Sequence, residues 1–170
     1  MVEMEVVVRQ LSASAAAIRA LVEGVSAEQA EWQPDAESWS LKQVMEHVDN
    51  TERLDFRLHL QEIFHEPPLG WGGLSLPYQA APDCATSLSN FLREREASIA
   101  WLRGLAGVDW DAYSEATFGP NAEKLTMSAG NLLYAWVAHD YLHIRQINEL
   151  LFAWNAQQAR PYSVEYAGGW

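Results

Sequence analysis

The sequence predicts an all-α fold, a four-helix bundle with a long crossover connection between helices two and three. Three observations predict it. Four segments repeat their apolar residues at the helical period. Strand-like alternation is nearly absent. One irregular connector, residues 67–83, interrupts the middle of the chain, and unstructured segments of that length mark a crossover or a functional loop. At 170 residues the chain fits a single domain, 1–170, and its eight tryptophans supply bulk for a packed interior.

The first helix is expected over residues 2–24, with Val7, Leu11, Ile18 and Leu21 on one face and Gly24 as its stop. A turn-rich loop, residues 32–39, leads to the second helix. Ser40 is a good N-cap, and Gln43 three residues later completes a capping box. This helix carries Leu41, Val44, Val48, Leu54 and Leu58 inward and stops before Pro67. The connector follows, with Gly70, Gly72, Gly73, Pro77 and Pro82. The third helix starts at an Asp83 cap, runs on a stripe of Leu88, Phe91, Leu92, Ile99 and Leu102, and is closed by Gly104 and Gly107. Residues 108–124 read as turns or a short hairpin. The fourth helix is the longest, residues 126–157, and the tail 160–170 carries no pattern.

Charge excludes several functions. There are 23 acidic residues against 11 basic ones, a formal charge of -12, and no basic cluster. Such a chain repels phosphate backbones and anionic membranes, so neither nucleic acid nor a membrane is an expected partner. No apolar run reaches the roughly 18 residues of a membrane span, and the N-terminus lacks the pattern of a signal peptide. The expected location is cytoplasmic. A single cysteine, Cys84, rules out an internal disulfide and a cysteine-rich zinc site. It follows a cap residue near a helix N-terminus, where a thiolate is favoured. A semi-buried small residue is the stronger reading.

The histidines carry the chemistry. At about 100° per residue, Leu132, Trp136, His139, His143, Ile147, Leu150 and Trp154 fall on one stripe of the fourth helix. His139 and His143 therefore sit within the apolar face, one turn apart. Imidazoles at that spacing can converge on one ion, with metal–nitrogen bonds of about 2.0–2.1 Å. His47 shares a face of the second helix with Val44, Val48, Thr51 and Leu58. His47, His139 and His143 together would leave coordination positions open for water or substrate, as a catalytic metal requires. Spacing alone leaves the alternative of histidines that only pack and hydrogen-bond, although burying several without partners costs free energy. His59, about 18 Å along a continuous helix from His47, is too far to share the ion, and His65 falls at a helix end. Gln43, Asn50 and Gln146 lie about one turn from these histidines and are candidates to orient an imidazole. Trp136 is a candidate wall of the pocket. Trp71 and Tyr78 of the connector could cover it or simply pack across the bundle end.

Competing patterns are weaker. His139-Asp140-Tyr141-Leu142-His143 resembles the zinc-peptidase pattern H-E-x-x-H, with Glu165 as a conceivable third ligand. Asp is one methylene short for that role, and Glu165 lies in the tail. A di-iron bundle needs two E-x-x-H motifs, and only Glu62 to His65 fits. Residues 70–73 lack the lysine and helix start of a phosphate loop.

Two segments resemble a known family. Trp39-Ser-Leu-Lys-Gln-Val-Met-Glu-His47, preceded by Trp32-x-Pro34, is similar to the start of helix two in the DinB-like (YfiT-like) metalloenzyme superfamily. His139-Asp-Tyr-Leu-His143-Ile-Arg-Gln-Ile147 resembles its helix-four signature. The resemblance implies a four-helix bundle with a crossover between helices two and three. It also implies a divalent metal, zinc or nickel, on His47, His139 and His143, and a homodimer. The activities it implies are thiol-dependent transfer or isomerisation and hydrolysis, so the expected partner is a small-molecule substrate, with a low-molecular-weight thiol among the classes. The alternative is a non-catalytic bundle that binds a small molecule or a structural metal.

Overall fold

A computed structural model describes residues 2–117 and 124–168. The elements are α1 (Met4–Val22), α2 (Ala27–Glu31), α3 (Leu41–Leu54), α4 (Phe56–Ile63), α5 (Cys84–Gly104), β1 (Tyr113–Thr117), β2 (Lys124–Ser128) and α6 (Ala129–Gln158), with a 3₁₀ turn at Glu165–Ala167. The predicted all-helical bundle is therefore present, with a two-stranded antiparallel ribbon added, in which Tyr113 faces Ser128.

Local chemistry sets the boundaries. Ser40 accepts from the backbone of Gln43, whose side chain accepts from the backbone of Ser40, so the expected capping box forms. Asp83 caps α5 through the amide of Thr86. Ser128 caps α6 through the amide of Asn131, so the last helix begins three residues later than its periodicity predicts. Thr126 and Met127 belong to β2 instead, where pairing with β1 satisfies their backbone. The second predicted helix is also not continuous. It breaks at Asp55 (φ -123, ψ -98) into α3 and α4. No proline or glycine stands there, so nothing local announces the break.

Helices α1 and α3 each pack against both α5 and α6. Asp49, Glu52 and Arg57 reach Asn90, Arg95 and Ser98 in the same chain order, so α3–α4 and α5 run parallel, which is why the connection between them must be long. The core divides in two. One cluster gathers Ile18, Val22, Val44, Met45, Phe91, Ile147 and Leu150. The other gathers Val7, Leu11, Phe56, Leu60, Leu102, Leu133 and Trp136.

Between the clusters lies a polar layer. Arg95, Glu52, Asp140 and Ser14 are all at least 97% buried. Arg95 Nε and Nη2 donate to both oxygens of Glu52, at 2.9 and 2.8 Å. Its Nη1 and Nη2 donate to Asp140 at 2.6 and 2.8 Å, and Nη1 also reaches the carbonyl of Leu11. The hydroxyl of Ser14 donates to Asp140, and the indole N–H of Trp136 donates to Glu52 at 3.0 Å. Burial opposes the charge on Arg95, but Glu52 and Asp140 outweigh it and raise its pKa above the usual arginine value.

Candidate metal centre

At the level of this layer, α3 and α6 also bring three imidazoles together. His47 comes from α3, His139 and His143 from successive turns of α6. One nitrogen from each lies within 4.8 Å of the other two. His139 Nε2 stands 3.2 Å from His47 Nε2 and 3.0 Å from His143 Nε2. Nitrogens bound tetrahedrally to one ion at about 2.0–2.1 Å lie about 3.4 Å apart, and closing the angle toward 90° brings them to about 2.9 Å. The two separations at His139 fall within that range.

Proton accounting fits the same conclusion. Gln146 Oε1 is 2.9 Å from His143 Nδ1, placed to accept a ring proton there and leave Nε2 turned toward the cluster. His139 Nε2 faces two nitrogens, and a single proton can satisfy only one of them. All three imidazoles are kept neutral. Burial pushes the pKa of His139 down to about 4, with His143 and His47 adding to the effect. Burial also lowers His47 and His143. Neutral imidazole is the form that binds metal.

The surroundings are aromatic on one side and open on two. Trp39 meets His47 edge-on at 5.3 Å between ring centres, and Phe56 meets His139 at 5.1 Å. Phe56 in turn stacks on Trp136. A cleft of about 670 Å³ opens beside His143, walled by Pro34, Trp39, Gln146 and Leu150. A second cavity of about 330 Å³ opens beside His47, walled by Asp55, His59, Trp71 and Tyr78. Both are of a size that admits small ligands.

A family model described as the DinB superfamily matches residues 10–147. The chain belongs to the DinB superfamily. A search of curated proteins finds no match. Among solved structures the chain resembles YfiT from Bacillus subtilis, with a TM-score of 0.68 and 18% identity over 88% of this chain and 87% of that one. That protein is described as "a probable metal-dependent hydrolase with an unusual four-helix bundle topology". At this identity the likeness shows the fold.

In this DinB-superfamily chain the other candidates distribute as follows. Gln146 contacts an imidazole. Gln43 is committed to the cap of α3 and to Gln33. Asn50 ties down the connector, donating to the carbonyl of Gln79 at 3.0 Å and accepting from its amide at 3.0 Å. Trp136 is one layer removed, behind Phe56. His59 is not in the histidine cluster, yet the break at Asp55 leaves it lining one cavity with His47, and Trp71 stacks on it at 3.5 Å. Its Nδ1 lies 2.6 Å from Glu62, whose carboxylate also accepts from the amides of Gly72 and Leu74. The connector is thereby pinned along the cavity, and Tyr78 donates to Glu46 at 2.7 Å beside it.

Asp140 turns inward to Arg95 and Ser14, away from the role of a peptidase base, and Glu165 lies in the exposed tail turn. Cys84 is buried, and burial, then Asp83 and Glu31, push its thiol up to about 11, the reverse of an activated nucleophile. Sequence reasoning missed the Arg95–Glu52–Asp140 layer. The signal was present: each of the three occupies a stripe position on its helix.

Among the described residues no helix is long and apolar enough to cross a membrane.

Proposed function

We propose that this chain is a metal-dependent enzyme in which His47, His139 and His143 hold one divalent ion, zinc or nickel, that activates a small-molecule substrate. The observation that carries the reading is the convergence of three neutral imidazole nitrogens on a point bordered by two cavities. An ion bound there would act as a Lewis acid and lower the pKa of a coordinated water or thiol, giving a nucleophile near neutral pH.

The chain's own residues do the rest. Gln146 fixes the tautomer and orientation of His143. Trp39 and Phe56 hold the rings of His47 and His139 from the sides. The cluster contains three donor residues among those described, and a structural site is ordinarily closed by a fourth. Both hydrolysis and thiol transfer use such a nucleophile.

The test is a screen of ester, amide and thiol-transfer substrates with the metal-loaded protein, the chelated protein and a His139→Ala/His143→Ala variant. Turnover that is lost on chelation, restored by metal and absent in the variant supports the reading. A metal that can be removed only with unfolding, and no turnover in any arm, marks the ion as structural and overturns it.

A further inference from the structure

The two openings onto the histidine cluster share one electrostatic character. Glu37 and Glu149 stand at the larger cleft and Asp55 at the smaller, and among the described residues no lysine or arginine lines either one. We infer that the centre takes a small ligand bearing a positive charge, an amine in class, with its donor atom at the metal and its charged end in the cleft beside His143. This rests on the reading that the histidines hold an ion open to ligands.

The cleft offers both parts of a cation site. Trp39 is 42% exposed, so much of its ring stays open while one part meets His47. Indole faces attract cations, and the attraction grows where water is partly excluded. Glu37 is exposed at the same wall. Glu149 does pair with Arg145, at 3.4 Å, but that pair is open to solvent, and Arg145 does not itself line the cleft. Exposed pairs of this kind are weak and leave a carboxylate free to exchange partners.

The smaller cavity gives the opposite sign no refuge. Asp55 lines it, with His59 Nε2 at 3.7 Å from its carboxylate, and Tyr78 at its rim already donates to Glu46. A substrate carboxylate or phosphate therefore meets like charge from either side, within a chain of formal charge -12. Among the described residues, no lysine or arginine at either opening offers an anion a second positive centre beside the ion. An anionic donor atom and a cationic tail, as in an aminothiol, match the two halves of the site.

The experiment uses the full chain loaded with Co(II). It is titrated separately with cysteamine, 2-mercaptoethanol and 3-mercaptopropionate, which carry positive, neutral and negative tails. Binding is read from the thiolate-to-cobalt charge-transfer band. The thiols differ in intrinsic acidity, so the decisive quantity is how their affinity ratio changes in a Glu37→Gln/Glu149→Gln variant. Both substitutions are at solvent-exposed side chains and preserve shape.

The expected result is cysteamine tightest and 3-mercaptopropionate weakest. Their ratio should fall about threefold or more in the variant and also shrink with added salt. A ratio unchanged in the variant, or a preference for the anionic thiol, overturns the inference. Cobalt bound with no charge-transfer band for any thiol also overturns it, since the cleft then gives no access to the ion. If cobalt does not bind at all, the metal reading itself fails, and the inference with it.

Discussion

Two polar groups sit at the same level of this bundle and are built in opposite ways. The Arg95 layer is closed: each charge meets an opposite charge, and hydrogen bonds from Ser14, Trp136 and the carbonyl of Leu11 complete it. The histidine cluster is open: its nitrogens face one another, with cavities on two sides. Asp140 and His139 are adjacent in sequence, yet one serves each group. A buried polar group that is fully satisfied holds a fold in one arrangement. One that is left open can take a ligand, which is the role proposed for the histidines. The difference separates what holds the helices from what they hold.

The comparison can be broken most forcefully at its closed half. Arg95→Ala strands two buried carboxylates, and urea unfolding of the metal-free protein should show a loss of about 3–5 kcal/mol. His139→Ala, measured the same way, should cost about 1 kcal/mol or less, because the open cluster contributes little to the metal-free fold. Trp136→Phe keeps most of the ring bulk and removes the N–H donated to Glu52. It should cost about 1.5–3 kcal/mol, the range for a hydrogen bond to a charged group.

Acid separates the two halves by a different route. His47, His139 and His143 all have folded-state pKa values below 6.5, with His139 near 4. Below the unfolded value, the unfolded chain takes up protons that the folded chain refuses. Stability of the metal-free protein should therefore fall as pH drops from 6.5 toward 4, with no contribution from these groups above 7. In the His139→Gln variant that slope should flatten. An unchanged slope would mean the acid sensitivity lies elsewhere. The finest distinction is at Gln146. Gln146→Ala should weaken metal binding about tenfold in a competition titration, through lost orientation of His143, with little change in metal-free stability.

Most of the bundle was legible in the sequence because its helices are amphipathic and capped. Ser40 with Gln43 and Asp83 each mark a helix start by side-chain chemistry alone. The break at Asp55 was not legible, since no helix-breaking residue stands there. That same break placed His59 on a shared cavity with His47, where a straight helix would have separated them. The start of α6 was misplaced because Thr126 and Met127 continue the apolar period while pairing as a strand. In the candidate site, helical spacing brought out the three histidines. The roles of Gln43 and Asn50 depend on which neighbour each side chain reaches, and spacing does not fix that. Trp39 as a wall was visible only as part of a motif.

In the proposed centre His47, His139 and His143 together hold one ion. Elemental analysis of the purified protein, compared with the His139→Ala/His143→Ala variant after identical handling, tests it most directly. The account predicts close to one zinc or nickel per wild-type chain and almost none in the folded variant. Equal metal content in the two proteins would contradict it.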